Sequence, residues 1–412
     1  PPPWLLFGRD TPSALVHAPV RKFVSIRLDK HRISDYTRIV RNISYRMKQI
    51  ESCSREKIMA TQHVPARRQS LIVEVETSPA YEFLLSLCVF NDSHGDMTYD
   101  VGKAWFDDVR AKASPDLLAN IEQFSFQCHM VWEHIFSLAY DCPPPRDVPT
   151  FIRHLETTDA FELRLHLLGY YVREHRRVTP PETIYAAAQG DSEAQKQLLK
   201  TSFPDDADWQ KTLRWLLALD MTATKNMLLE ILRRWYDEVF REQEPTILPI
   251  LARDVEAKRA LQATLSPEQL IEACTGWEYV PEPGIKRVVL IPSYVNRPYN
   301  SDAEHHGTRI FYFPAADESI AAGTNAPPVR LLRLAKALAD ERRLRILKKL
   351  STGSYTLQEL ADDFGVAKTT LHHHVITLRT AGLVRMRLSD KRYSLRPDVI
   401  ESLGDLLNTY LK

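Results

Sequence analysis

Residues 338–395 read LADERRLRILKKLSTGSYTLQELADDFGVAKTTLHHHVITLRTAGLVRMRLSDKRYSL, and this stretch decides the architecture of the C-terminal end. Leu344, Ile346, Leu347 and Leu350 recur at the spacing of one face of a helix. An apolar face with that period predicts an amphipathic α-helix that packs on a core.

A helix-turn-helix motif follows this first helix. Thr356 and Glu359 have the spacing of a capping box and precede an apolar face, and Gly365 stops the helix. A second helix begins within a few residues and ends at Gly382, and two short helices joined by a tight glycine turn are typical of DNA-binding proteins. The alternating segments LVRMRL and RYSL, on either side of a polar tip, predict a two-stranded hairpin. The sequence therefore predicts a winged helix.

Three pieces of this region resemble the ArsR-type bacterial repressors: LADERRLRIL, TLQELADDFGVAKTTLHHHV and LRTAGLV. The resemblance implies a homodimer that binds palindromic double-stranded operator DNA in adjacent major grooves, and an effector that changes DNA affinity. On this basis we interpret the chain as a cytoplasmic transcriptional regulator and, more finely, as a repressor.

Two departures from the family pattern bear on function. The family usually has Ser at the cap of the recognition helix, where this chain has Ala367, and the absence of a capping side chain costs roughly 1 kcal/mol. Family members that sense thiophilic metals carry cysteines in the first helix of the motif, and here TLQELADDF has none. The resemblance therefore implies no metal site and no cofactor.

The helical period separates core residues from DNA-facing residues in the second helix of the motif. Leu371, Val375 and Leu378 are predicted to face the core, and His374 to turn partly inward. The residues that we expect to contact DNA are Lys368, Thr369, Thr370, His372 and His373 in this helix, and Lys391, Arg392 and Tyr393 in the wing. Lys and Thr supply phosphate donors, Lys can also reach guanine, and the histidines offer ring N–H groups to base edges.

The last helix, after Pro397, is predicted to pair two subunits. Its apolar stripe comprises Val399, Leu403, Leu406, Leu407 and Tyr410. In the family that this region resembles, such a helix often lies between subunits. Packing of the same stripe within its own domain is the alternative.

Charge is distributed unevenly along the near-neutral chain. Residues 330–412 hold sixteen Lys/Arg against nine Asp/Glu, a net of +7, and residues 1–58 also carry +7. The intervening 59–329 carry −13. Because cations that neutralise phosphates supply most non-specific DNA affinity, we expect DNA contact to be confined to the C-terminal domain.

The chain divides by composition into three parts. Residues 1–58 are predicted to be a basic, disordered extension that contributes little, with a basic arm that touches DNA as the alternative. Residues 59–325 are predicted to form a helical sensor or oligomerisation domain, and 326–412 the winged helix. The segment 321–328 (AAGTNAPP) is interpreted as a semi-rigid linker.

Periodicity makes the body between 71 and 325 mostly helical, with single helices expected over 115–139 and 159–176. Three strands are predicted, 71–76 (LIVEVE), 286–291 (KRVVLI) and 308–313 (TRIFYF), and we expect the first to join a hairpin formed by the other two. The fold class predicted for the chain is mainly α, a helical domain with a small sheet followed by a winged helix. This arrangement also resembles a group of long ArsR-like bacterial regulators, without implying what the middle domain does.

No catalytic residue is assigned in the body. On the helix QCHMVWEHIF, His129 and Glu133 face one side but His134 points away, so HExxH chemistry is not predicted. We interpret that helix as packed, with its polar residues toward solvent, and the pair His305-His306 as part of a solvated loop rather than a metal site. His154 and His166 are interpreted as core or surface histidines.

Six tryptophans fall within the body, at 105, 132, 209, 215, 235 and 277. They are interpreted as core, and core residues could also line an apolar pocket for a small organic effector. Two other functions stay open at this stage: an enzyme fused to a winged helix, and a winged helix that binds protein. The Lys and His of the recognition helix and the Lys-Arg of the wing favour DNA over a protein partner. The five cysteines include no CxxC pair, and no apolar run reaches the length of a membrane span.

Overall fold

The computed structural model of the protein describes residues 71–92, 99–320, 327, 329–387 and 390–411. The predicted extension over 1–58 and nearly all of the predicted linker lie outside the described residues. The body and the winged helix belong to one compact unit, Ile58–Lys412. Among the described helices, none combines the length and the apolar character needed to cross a lipid bilayer.

Helices build most of the body. In chain order they are α1 Pro79–Phe90, α2 Gly102–Lys112, α3 Pro115–Ser125, α4 Met130–Glu133, α5 Phe136–Asp141, α6 Val148–Thr157, α7 Ala160–Leu167, α8 Arg173–Val178, α9 Pro181–Gln189, α10 Ser192–Thr201, α11 Ala207–Ala218, α12 Met221–Trp235, α13 Arg241–Gln262, α14 Pro267–Thr275 and α15 Asp317–Ile320. A π-helical turn, Tyr236–Phe240, joins α12 to α13. Aspartate side chains cap the N-termini of α6, α7, α10, α11 and α12 by accepting hydrogen bonds from backbone N–H groups of the first turn. These caps explain why each helix begins directly after its aspartate.

One four-stranded sheet belongs wholly to the body. Its strands are β1 Ile72–Val75, β3 Arg287–Ser293, β4 Ser301–His305 and β5 Thr308–Pro314, in the order β1-β3-β5-β4. The three predicted strands therefore share a sheet as expected, but the predicted hairpin is wrong. β3 lies parallel to β1 and to β5, and the antiparallel partner of β5 is β4, which occupies part of the predicted loop.

Two predicted helices are broken in the structure. The span 115–139 becomes three helices. The first of them ends where Phe126 and Gln127 adopt left-handed backbone conformations, with φ of 47° and 64°. The span 159–176 is interrupted at Gly169, where φ is 80°. A Cβ at Gly169 would stand 2.6 Å from the His175 ring, so the close approach requires glycine there.

Aromatic side chains fill the core of the body. Trp132, Trp209 and Trp235 are fully buried, and Trp277 is almost so. The Trp235 indole N–H donates to Ser86 Oγ at 2.9 Å, which ties α12 to α1. The interpretation as core residues agrees with the burial of these four tryptophans, whereas Trp105 and Trp215 are half-buried.

The C-terminal part forms the winged helix. Its elements are α16 Val329–Leu338, α17 Glu341–Leu350, β6 Tyr355–Thr356, α18 Leu357–Phe364, α19 Lys368–Thr380, β7 Val384–Arg387, β8 Arg392–Leu395, α20 Pro397–Glu401 and α21 Leu403–Leu411. β7 and β8 form the predicted antiparallel hairpin, and β6 extends it. The predicted apolar face of α17 is correct except for Leu344, which is 48% exposed.

The sheet of the wing has a fourth strand that comes from the body. The two-residue strand β2, Trp277–Glu278, pairs in parallel with β7, giving the order β2-β7-β8-β6. Neither this strand nor its pairing with β7 was expected from the sequence.

Candidate nucleic-acid interface

Local interactions fix both ends of α18, the first helix of the motif. Thr356 Oγ1 accepts from the Glu359 N–H at 3.2 Å, and the Glu359 carboxylate accepts from the Thr356 N–H at 2.8 Å, which is the predicted capping box. Gly365 ends α18 in the left-handed conformation, φ 61°. This geometry directs the chain into the second helix of the motif.

The recognition helix α19 is anchored by one buried face. Leu371, Val375 and Leu378 are 1%, 0% and 0% exposed, as the period predicted. Ala367 at its N-cap provides no side-chain hydrogen bond, so the first N–H groups of α19 have no capping side chain to accept from them. His374 turns inward, with Nδ1 3.9 Å from Asp340 Oδ1.

The predicted DNA-contact residues of α19 lie away from that core. Thr370 and His373 are exposed, while Lys368 and His372 are half-buried. The side chain of Thr369 lies outside what the structure describes. Burial lowers the pKa of His372 to about 4, helped by the charges of Arg379, His373 and Lys368. At neutral pH the His372 ring is therefore uncharged and offers one donor and one acceptor nitrogen.

The wing carries the other three predicted contact residues. Tyr393 is only 5% exposed, which leaves little of its ring available, and its contact with DNA stays a prediction. The Arg392 guanidinium pairs with the Glu359 carboxylate at 3.1 Å. The pKa of the Lys391 ammonium is lowered overall. Burial lowers it, and the negative charges of Asp302 and Glu174 in the body only partly oppose that effect.

Three arginines of α19 and the wing were not among the residues that the sequence predicted to contact DNA. Arg385 and Arg387 alternate along β7, and Arg379 lies in the last turn of α19. The alternation of Arg and apolar residues in LVRMRL was the available signal, since it places both guanidinium groups on one face of a strand.

A group of buried histidines lies in the body, away from the winged helix. His134 Nε2 lies 3.0 Å from His175 Nε2, and His166 Nδ1 lies 3.0 Å from Ser137 Oγ. All three rings are 2% exposed or less. The interpretation of His134 as solvent-facing is therefore wrong: α4 is a single short turn, and His134 caps its end inside the core.

The pair His305-His306 is also placed differently from the prediction. His305 is the last residue of β4, is 2% exposed, and has Nε2 2.6 Å from Asp141 Oδ2. Only His306 lies at the exposed turn. His129 Nε2 lies 3.8 Å from Glu133 Oε1, as their spacing predicted. Across the described ranges, no group of three or more His, Cys, Asp or Glu side chains is arranged to hold a metal ion.

The elements described above define a winged helix-turn-helix domain. Residues 340–386 match the family model described as bacterial regulatory protein, arsR family. These residues therefore form an ArsR-family helix-turn-helix domain, which supports a DNA-binding transcription regulator. Comparison with curated proteins and with solved structures gave no significant match for the chain.

Proposed function

We propose that this protein is a transcriptional repressor that binds operator DNA as a homodimer, and that its helical body receives the regulatory signal or sets the assembly. The observation that carries the DNA-binding step is the surface of α19. Its core face is buried, its sequence contains no acidic residue, and Lys368, Thr370 and His373 lie off that face. Such a helix offers donors to phosphates and base edges and carries no acidic side chain of its own.

The C-terminal helices support the proposed homodimer. α21 packs against α16, yet Leu407, Tyr410 and Leu411 are 43%, 42% and 70% exposed. Leu332 on α16 adds another exposed apolar side chain. Exposed apolar side chains on two neighbouring helices favour burial against a second copy. We expect Leu407→Glu with Tyr410→Glu to shift the full chain toward monomer in analytical ultracentrifugation.

For the body we propose a role in sensing a small organic effector or in assembly, over residues 59–325, with DNA contact assigned to 326–412. The alternative proposal, that the body is an enzyme, is not supported by any group of candidate catalytic side chains identified among the described residues. Among the described residues, the buried histidines His134, His166 and His175 have hydrogen-bond partners in neighbouring core groups. A regulatory body fits the charge separation between an acidic body and a basic winged helix.

Base reading by the recognition helix is tested with a double variant. His372→Ala with His373→Ala should reduce the preference of the full chain for a duplex selected from a random library over unselected DNA, by roughly tenfold or more, because a specific base contact is worth about 1–3 kcal/mol. Lys391→Ala with Arg392→Ala should weaken binding to both duplexes alike. His306→Ala, at an exposed turn of the body, is the matched control. An equal fall in preference from the histidine pair and the wing pair would contradict the assignment.

Metal independence is a separate prediction. DNA binding by the full chain should be unchanged by a strong chelator, and by micromolar zinc, copper, cadmium or arsenite, because we propose an organic input rather than a metal. Fluorescence anisotropy with the selected duplex measures it. A tenfold change in affinity with any one metal, about 1.4 kcal/mol of coupling, would contradict the prediction.

A further inference from the structure

The body extends the sheet of the wing through main-chain bonding. Gly276 ends α14 with φ +67°, and this left-handed turn brings Trp277 and Glu278 alongside β7. The Met386 N–H donates to the Gly276 carbonyl at 3.2 Å. A strand pair of two residues is weak by itself, so side chains must contribute to the contact.

Acidic side chains of the body pair with the arginines of β7. The Arg385 guanidinium lies 2.9 Å from the Glu272 carboxylate, and the Arg387 guanidinium lies 3.2 Å from Glu278. Hydrogen bonding to Glu278 and its charge raise the pKa of Arg387. Both β7 arginines are therefore engaged by carboxylates from outside the winged helix.

Trp277 connects the recognition helix to the body. The Arg379 guanidinium of α19 lies 6.0 Å from the centre of the Trp277 ring, within the range of a cation–π contact. The same ring packs edge-on against Phe311 of β5, at 5.6 Å between centroids. One flank of α19 thus meets the body through a nearly buried aromatic side chain.

A second set of contacts holds the first helix of the winged helix to the body. Arg333 of α16 lies 3.0 Å from the Asp100 carboxylate and 2.9 Å from the Asp317 carboxylate. The same two carboxylates pair with Arg297, which is 4% exposed. The winged helix therefore meets the body through its own cations, which face carboxylates and one aromatic ring.

A DNA phosphate and a carboxylate of the body cannot both bind the same guanidinium group of β7, because they compete for the same N–H donors. We propose that the contact of Glu272, Trp277 and Glu278 with the winged helix is an autoinhibitory clamp, which DNA binding has to open. The proposal rests on the proposed DNA-binding function. It gives the body a physical means of control, since any signal that moves the C-terminal end of α14 changes the availability of Arg379, Arg385 and Arg387.

The test uses the full chain and leaves every winged-helix cation in place. Glu272→Gln with Glu278→Gln removes two carboxylates while preserving the side-chain shapes. The matched control is Glu182→Gln with Glu193→Gln, which makes the same charge change at exposed positions on α9 and α10. Affinity for a labelled duplex selected from a random library is measured by fluorescence anisotropy at one salt concentration.

We expect the clamp variant to bind about three- to tenfold more tightly than the control variant, in line with two partly exposed ion pairs. Equal affinities of the two variants, or weaker binding by the clamp variant, would overturn the proposal, and the second result would identify the docked arrangement as the DNA-binding form. If neither variant nor the wild type bound any duplex, the proposed DNA-binding function itself would fail.

Amide hydrogen exchange gives a readout that does not depend on substitution. The Met386 N–H should exchange faster when saturating duplex is added to the wild-type full chain, because its bond to the Gly276 carbonyl opens. Unchanged or slower exchange at Met386, with DNA demonstrably bound, would contradict the clamp.

Discussion

As the pH falls from 7 toward 4, the free energy of unfolding of the wild type should fall relative to that of His166→Asn. Burial raises the pKa of Glu82 to about 7, so protonation of Glu82 acts in the opposite direction, equally in both proteins. His166 is 1% exposed, and burial together with the charge of His305 lowers its pKa to about 3 from the usual 6.5. Between these values the unfolded chain binds a proton that the folded chain does not bind. The contribution of His166 to the free energy of unfolding is therefore complete above pH 6.5 and is lost as the pH drops toward 3, by about 1.4 kcal/mol per unit of pKa difference.

Urea unfolding of the full chain at a series of pH values measures this effect. The neighbouring Asp141 does not obscure it: although burial raises the pKa of Asp141, the hydrogen bond from His305 lowers it overall from 3.8, so its contribution disappears only below that value. His166→Asn keeps an amide near Ser137 Oγ and removes the titrating ring. His306→Asn, at the exposed turn, should retain the wild-type profile. Parallel profiles for the wild type and His166→Asn between pH 7 and 4 would contradict the prediction.

Leu371→Ala should destabilise the winged helix by about 2–5 kcal/mol and abolish DNA binding, because it empties the core face that orients α19. The side chain is 1% exposed. Leu344→Ala makes the same change in the same domain at a position that is 48% exposed, and it should cost well under 1 kcal/mol. Thermal unfolding followed by circular dichroism compares them, with anisotropy for DNA binding. Similar destabilisation at the two positions would mean that the α19 core is assigned incorrectly.

The helix-turn-helix could be predicted from sequence because its determinants are local. Thr356 and Glu359 are three residues apart, Gly365 supplies the left-handed turn, and the core of α19 follows one helical period. The pairing of β3 with β5 was not local. Both strands are buried along almost their whole length, as central strands of parallel sheets are. Their nearly continuous apolar sequence was therefore a signal for parallel pairing, which the prediction of a hairpin did not take into account.

The body contained features that no local pattern marks. Phe126 and Gln127 take left-handed conformations without a glycine, so nothing in the sequence indicated a break there. His134 and His175 are 41 residues apart in the chain, and their contact depends on tertiary packing. β2 joins the body to the wing, but it is only two residues long. A segment of that length is too short to show the alternation of apolar and polar residues that predicts a strand.

DNA binding through α19 is tested most directly by the salt dependence of affinity in the full chain and in Lys368→Ala. We expect log K for the selected duplex to fall linearly and steeply with log salt, and the slope to be smaller by about one in Lys368→Ala, because one ammonium no longer neutralises a phosphate. Lys200→Ala, which removes an exposed lysine from α10 in the body, should leave the slope unchanged. An affinity that does not respond to salt, or a slope that Lys368→Ala and Lys200→Ala alter equally, would contradict DNA binding by this helix.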